Sequence, residues 1–251
     1  MIFFPESFLC RRKLTFPATS TPYCFLWNSY GFGYFKDTED KTLSVQFDYD
    51  NHNEEGELSW PKDEYDNYET FSDEGNTKVL AIDYTYAIGD SYGDNKKSQI
   101  EIGYKYHKDE DLIDQLYDLS LLYDGTHVDI YENYQYDFTR TITSTYLVFG
   151  YYFTEFFGLQ FGSRLERAVR EQIIEDKISN TQGKFGYNYN RVYPTVHFMY
   201  DMQAAGNIKF GFSRRVNRPW ERALNPFESY TSYPFVDKGN PFLMPEDIYK
   251  W

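Results

Sequence analysis

Apolar and polar side chains alternate along several segments of the chain, and this period of two constrains the fold more than any other feature. The pattern is clearest in TLSVQFDYD (42–50), SQIEIGYKYH (98–107), FGLQFGSRLE (157–166) and NIKFGFSRR (207–215). Because successive side chains of a strand point to opposite faces of a sheet, each segment predicts a strand with one apolar and one polar face. No comparable stretch shows the helical period, so the predicted fold class is all-β.

The spacing of these segments predicts about eight meandering antiparallel strands, near 29–37, 41–50, 77–88, 97–107, 137–153, 156–168, 189–202 and 207–216. Short turns alternate with long acidic loops that are rich in Tyr and Asn, at 51–76, 108–136 and 169–188. Short turns on one rim and long loops on the other are typical of an antiparallel transmembrane β-barrel, here a partial one. An antiparallel sheet that covers a soluble core is the alternative architecture.

The composition supports a membrane barrel over an ordinary soluble core. Many of the hydrophobic residues are aromatic, with 26 Tyr and 22 Phe. These residue types are favoured in strands and at membrane interfaces. No apolar run approaches the roughly 18 residues that a membrane-spanning helix needs. The formal net charge of −14 argues against a nucleic-acid partner, since a polyanion would be repelled.

The apolar faces of two strands supply the predicted lipid contacts: Phe157, Leu159, Phe161, Ile208, Phe210 and Phe212. The opposite faces carry charged residues, Gln and Gly, which suit a water-filled or plugged lumen.

The stretch from Tyr200 to Asp247 resembles the barrel of TonB-dependent outer-membrane receptors, in the outer-membrane β-barrel family with a carboxypeptidase-regulatory-like N-terminal extension. That family has a strand that ends in a motif similar to YSRRINRP, followed by LNPF and GNPxLxPE. The matching residues are Ser213, Arg214, Arg215, Asn217, Arg218, Pro219, Leu224, Asn225, Pro226, Phe227, Gly239, Asn240, Pro241, Leu243, Pro245 and Glu246. The resemblance extends over about residues 40–250.

This resemblance implies a location in the cell outer membrane and a role in energised uptake of a large or scarce solute, such as a metal chelate or an oligosaccharide. Such receptors close about 22 strands around a globular plug. We expect residues 29–251 to form part of such a barrel and not to transport alone, with residues 1–28 unassigned and aberrant in sequence. The implied partners are outer-membrane lipid, a plug, further barrel strands and, through the plug, a TonB-type energising complex. A small passive barrel or porin, and a soluble aromatic-rich carbohydrate-binding sheet, are the alternatives.

The arginines of the motif are predicted to pair with acids in the lumen or at the rim. If Phe210 and Phe212 face lipid, alternation places Arg214 on their side and Arg215 on the lumen side, and Arg218 lies at or beyond the rim. A charge at the rim costs little, whereas one at mid-bilayer costs about 2–4 kcal/mol. Direct contact with an incoming ligand is the second interpretation.

The sequence predicts no enzyme, no cofactor and no metal. The four histidines are far apart, and neither a nucleophile elbow nor a phosphate-binding loop is present. The acidic stretch from Asp48 to Glu57 is similar to a calcium loop, but His52 stands where Asp or Asn is needed and the glycine comes late. We therefore interpret this stretch as a solvated loop.

Overall fold

A computed structural model describes residues 2–3, 24–38, 40–62, 65–92, 96–123, 125–203, 206–232 and 235–251. The strands are β1 (Ile2–Phe3), β2 (Cys24–Thr38), β3 (Lys41–Lys62), β4 (Tyr65–Tyr92), β5 (Lys96–Tyr123), β6 (Thr126–Tyr152), β7 (Phe157–Asp176), β8 (Thr181–Asp201), β9 (Asn207–Asn217), β10 (Glu228–Ser232), β11 (Phe235–Lys238) and β12 (Glu246–Lys250). One turn of 3-10 helix covers Glu221–Ala223. None of the described residues forms a helix long and apolar enough to cross a membrane.

Strands β1 to β9 pair in chain order, and β12 pairs with β9 at the far edge. All the ladders are antiparallel, and β10 and β11 form a separate hairpin. The eight predicted strands correspond to β2–β9, and the prediction of an all-β, antiparallel, partial barrel is confirmed. Within the described ranges, no pairing joins β12 to β1 or β2. Most of residues 1–28, predicted to be unassigned, lie outside the described residues; residues 2–3 form β1, and residues 24–28 belong to β2.

The segments predicted as long loops are instead extensions of the strands. The ladders continue through them, as the pairs Glu57–Thr70, Leu116–Asn133 and Gln172–Phe185 show. High acid content suggested loops, but charged residues are tolerated in a strand pair whose faces both meet water. Cross-strand ion pairs also offset the charge: Lys78 Nζ lies 3.2 Å from Glu110 Oε2. The side of the sheet that was predicted to carry long loops is therefore made of tall two-stranded hairpins.

The two faces of the sheet differ sharply. We define the inner face as the one against which residues 218–245, the inner segment, are packed, and the outer face as its reverse. On the outer face an apolar row runs from strand to strand through cross-strand partners, along Phe212, Val196, Phe161, Phe149 and Ile100. All six residues predicted to contact lipid lie on this outer face, and Phe161 and Phe210 are more than half exposed.

The apolar part of the outer face is limited to the half of the sheet next to the short turns. On β7 it runs from Phe157 to Leu165, and on β8 from Val192 to Tyr200. Stretches of about nine residues are the length that a tilted transmembrane strand needs. Beyond them the outer face becomes polar, for example at Lys78 on β4. The sheet therefore has a bilayer-spanning band, from which the tall hairpins project into water.

Candidate functional site on the inner face

The inner segment is inserted between β9 and β12. It leaves the sheet at Asn217 and returns at Glu246, and these two residues are backbone partners in the β9–β12 ladder. Its start and end are therefore fixed at one point of the sheet. The segment contains most of the residues on which the resemblance to receptors rests.

Two Asn-Pro-Phe triplets form the turns of the inner segment. Asn225 Oδ1 accepts a hydrogen bond from the Phe227 N–H at 3.0 Å, and Asn240 Oδ1 accepts one from the Phe242 N–H at 2.9 Å. A short amide side chain that accepts from the backbone two residues on stabilises such a turn. Pro226 and Pro241 occupy the middle positions.

Backbone hydrogen bonds join the two triplets. The Gly239 N–H donates to Asn225 O, and the Asn240 N–H donates to Ala223 O, both at 2.8 Å. A Cβ at Gly239 would lie 2.4 Å from Asn225 O, closer than a side chain permits. Glycine is therefore required where the two halves of the segment meet.

Apolar and aromatic contacts hold the inner segment against β5, β6, β7 and β8. Leu224 is fully buried and packs with Tyr136, Phe138 and Ile174. Phe227 stacks on Tyr134 with the ring centroids 3.6 Å apart. Further along, the rings of Tyr230 and Tyr117 and of Phe242 and Phe185 meet edge to face. This is the principal apolar packing on the inner face, and it lies beyond the bilayer-spanning band.

Arg170 of β7 provides the polar attachment. It is 2% exposed, and its guanidinium donates to Leu243 O through Nη1 and to Pro241 O through Nη2, both at 3.0 Å. The Arg170 guanidinium carbon also lies 4.6 Å from the centroid of the Tyr187 ring, in a cation–π contact. Burial lowers the pKa of Arg170. Pro241 and Pro245 are buried at this contact, whereas Leu243 is exposed.

A cluster of ionisable groups lies where the inner segment meets β3, β4 and β5. His52 Nε2 is 3.5 Å from Asp73 Oδ1 and 4.0 Å from Asp111 Oδ1. Glu221 of the inner segment completes the group by its hydrogen bond with Asp111. Burial, with the charges of Asp111 and Asp73, raises the pKa of Glu221 to about 8, and burial likewise raises that of Asp111 to about 6. Burial therefore favours one proton held in the hydrogen bond between the Glu221 and Asp111 carboxyl groups.

This cluster has the donor set of a divalent-cation site, because one ligand atom each from His52, Asp73 and Asp111 lies within 4.8 Å of the others. Gly75 makes the arrangement possible, since a Cβ there would lie 2.1 Å from His52 Cε1 and 2.3 Å from Asp111 Oδ1. The sequence interpretation missed this cluster. His52 lies in the acidic stretch predicted as a solvated loop, which is instead part of β3.

The motif arginines lie near the point where β9 separates from β8. Arg214 donates to Asp247 Oδ2 at 2.7 Å and to Val192 O at 3.2 Å. Arg218 makes an ion pair with buried Glu166 of β7, and burial together with the charges of Arg164 and Arg140 lowers the pKa of Arg218 to about 10. Arg215 alternates to the inner face and is exposed.

Charge is unevenly distributed along the inner face. By register and alternation, the inner positions of β3–β5 are mainly acidic, with Lys105 as an exception: Asp48, Asp50, Glu54, Asp73, Asp83, Glu101, Asp109 and Asp111. The inner positions of β6–β9 are mainly basic, with exceptions such as Glu132, Glu166 and Asp176: Arg140, Arg164, Arg170, Arg191, Lys209 and Arg215. At the boundary, Arg140 donates to Asp109 Oδ2 at 2.9 and 2.6 Å. The inner face thus has an acidic and a basic sector.

The remaining motif residues have structural positions. Ser213 is buried on β9, Pro219 is half-buried at the start of the inner segment, and the Trp220 ring beside it is 68% exposed. Nothing in the geometry of the inner face forms a catalytic arrangement of nucleophile and base among the described residues.

An outer apolar band, a charged inner face and tall hairpins on one side define an outer-membrane β-barrel protein. In agreement with this, residues 35–251 match the model of the outer membrane protein beta-barrel family, and the chain belongs to that family. It is therefore a protein of the outer membrane. No curated protein matches the chain significantly.

Proposed function

We propose that the chain forms part of the barrel of a TonB-dependent receptor that takes up a solute across the outer membrane. The observation that carries this proposal is the inner segment. The residues that resemble the receptor motif are those that build this segment and attach it to the inner face, through Arg170, Leu224 and Phe227.

The charged inner face also supports uptake. Neighbouring acidic and basic sectors produce an electric field along the wall, which orients a dipolar or charged solute that enters from outside. The inner segment projects into the same space, so a solute on its way to the bilayer-spanning band meets both. We also propose that the chain acts by binding and not by catalysis.

The proposed partners follow from this role. Outer-membrane lipid contacts the outer apolar band, a globular plug and further strands complete the receptor, and a TonB-type energising complex acts through the plug. Nucleic acid is not a proposed partner, since the chain carries a net charge of −14.

Uptake in the native organism tests the proposal. A strain that lacks this gene and a strain that lacks TonB would each be supplied with a mixture of metal chelates and oligosaccharides, and depletion of each compound from the medium would be followed by mass spectrometry. We expect at least one compound to remain in the medium in both strains. If the compound lost with this gene is still taken up without TonB, the chain is a passive barrel and the proposal is wrong.

A further inference from the structure

We propose that the cavity beside the motif arginines is a binding site for an oxyanion, that is, for a phosphate, sulfate or carboxylate group. The cavity, here called the arginine cavity, has a volume of about 550 Å³. It lies where β9 leaves β8, just beyond their last paired residues, Thr195 and Ser213. It is lined by Arg164, Arg214, Arg215, Arg218, Tyr146 and Tyr193.

Positive charge exceeds negative charge around the cavity. Glu166 pairs with Arg218 and Arg164, while Asp247 pairs with Arg214 and Arg191. Arg215 has no side-chain hydrogen bond or ion pair with another residue of the described ranges. Five guanidinium groups therefore share two carboxylates in ion pairs. Asp83, which accepts a hydrogen bond from Tyr146, is a third acid beside the cavity, so an excess of two positive charges remains in a chain of net charge −14. Such a concentration of positive charge favours an anion.

Several N–H donors of the lining arginines have no acceptor among the described residues. The Nε atoms of Arg164, Arg214 and Arg218 are buried, and none of them has an acceptor in the part of the chain that the structure describes. Buried donors without acceptors are costly, so three of them on arginines that line one cavity favour an acceptor that arrives with a ligand, once these side chains turn toward it. Guanidinium groups suit oxyanions because their planar N–H donors match two oxygens at once.

Contacts within the protein hold the cavity in shape without a ligand. The Arg164 guanidinium lies 5.0 Å from the Tyr193 ring centroid, and Tyr193 is 2% exposed. The Tyr146 hydroxyl donates to Asp83 at 2.5 Å, so this ring is also fixed. Arg215 is free to turn toward an entering anion.

The volume exceeds what one oxyanion group needs, so the group would belong to a larger molecule. Two sources share this chemistry: an anionic solute in the lumen, and the phosphorylated headgroup of an outer-membrane glycolipid. The site itself does not depend on the proposed uptake function, because binding is measured on the isolated chain, without TonB.

The full chain, extracted from outer membranes in a non-ionic detergent, would be titrated calorimetrically with inorganic phosphate and with citrate at low ionic strength, and with glucose as a neutral probe. A parallel titration would use detergent micelles with and without phosphorylated lipid A. We expect at least one oxyanion probe to bind and glucose not to bind. We expect Arg215→Gln to weaken that binding about tenfold, as loss of a charge-assisted contact does.

Arg167→Gln is the matched control, because Arg167 lies on β7 near Arg164 but on the outer face and exposed. It should bind the probes as the unmodified chain does. Equal mobility of all variants in unheated gel electrophoresis would show that the fold is kept. Binding of lipid A alone would assign the site to a headgroup, and binding of soluble anions would assign it to a solute. Absence of binding by every oxyanion probe, or equal weakening by both substitutions, would overturn the proposal.

Discussion

Replacing Arg170 with methionine should loosen the inner segment without unfolding the sheet. Arg170 contacts that segment through two hydrogen bonds, to Pro241 O and Leu243 O. Methionine has a similar length and fills much of the same space, but it has no donor. The substitution therefore removes the polar attachment and leaves the packing around Leu224 in place.

The magnitude follows from the charge of the donor and from its burial. A hydrogen bond to a charged group contributes about 1.5–3 kcal/mol, so two contribute about 3–6 kcal/mol. Part of this loss is offset. Arg170 is almost fully buried, and the methionine variant does not bear the free-energy cost of removing a charged guanidinium from water. We expect a net loss of about 2 kcal/mol in the free energy that holds the segment to the sheet, or a factor of about 30 in its docking equilibrium.

Hydrogen–deuterium exchange measures this opening directly. The Gly239 and Asn240 amides are protected by bonds between the two halves of the segment, which we expect to separate when the segment leaves the sheet, so both amides should exchange about 30-fold faster in Arg170→Met. Amides of the β7 ladder should stay protected. Arg167→Met is the control, since it removes an exposed arginine of the same strand from the opposite face. Equal exchange at Gly239 in the two variants would refute the view that Arg170 holds the segment.

Three further outcomes are expected. Phe210→Arg should prevent assembly in the membrane, because a cation in the bilayer costs about 2–4 kcal/mol. Lys209→Gln on the inner face should assemble normally. Electrophoresis of unheated outer-membrane samples distinguishes the two variants, because an assembled sheet migrates differently from an unfolded chain. Gly75→Ala should destabilise the chain by at most about 1 kcal/mol in denaturant unfolding, because its Cβ would lie 2.1 Å from His52 Cε1 and the His52 ring must turn away from Asp73 and Asp111, while Gly33→Ala should be neutral because nothing lies within 4 Å of its Cβ. Docking of the inner segment should weaken as the pH rises from about 4.5 to 8, because burial raises the pKa of Glu221 to about 8 and favours its protonated form in the docked state. Glu221→Gln should reduce that dependence to the part that Asp111 contributes, in exchange rates corrected for intrinsic chemistry, and an undiminished pH dependence would contradict it.

The strands and their faces could be predicted from the sequence because alternation is a local property. The order of Phe157, Leu159 and Phe161 along the chain already places them on one side of a strand, whatever the partner strand is. The predicted strands ended too early, however. The acidic segments at 51–76 and 108–136 suggested loops, although charged residues can extend a strand pair once both faces meet water.

The clusters on the inner face could not be predicted in the same way, because they depend on contacts between residues distant in sequence. His52, Asp73 and Asp111 meet only through the register of three strands, and a shift by one residue would turn each side chain to the other face. Glu221 reaches them because the inner segment folds back against the sheet.

The sequence alone therefore determined the all-β class, the apolar outer band and the polar inner face, since a period of two is present in each strand separately. Only the tertiary structure decided that the motif residues fold inward, that charge divides into an acidic and a basic sector, and that Arg164 and Arg218 share Glu166. The physical reason is that pairing and packing energies arise between elements, and no single element contains them.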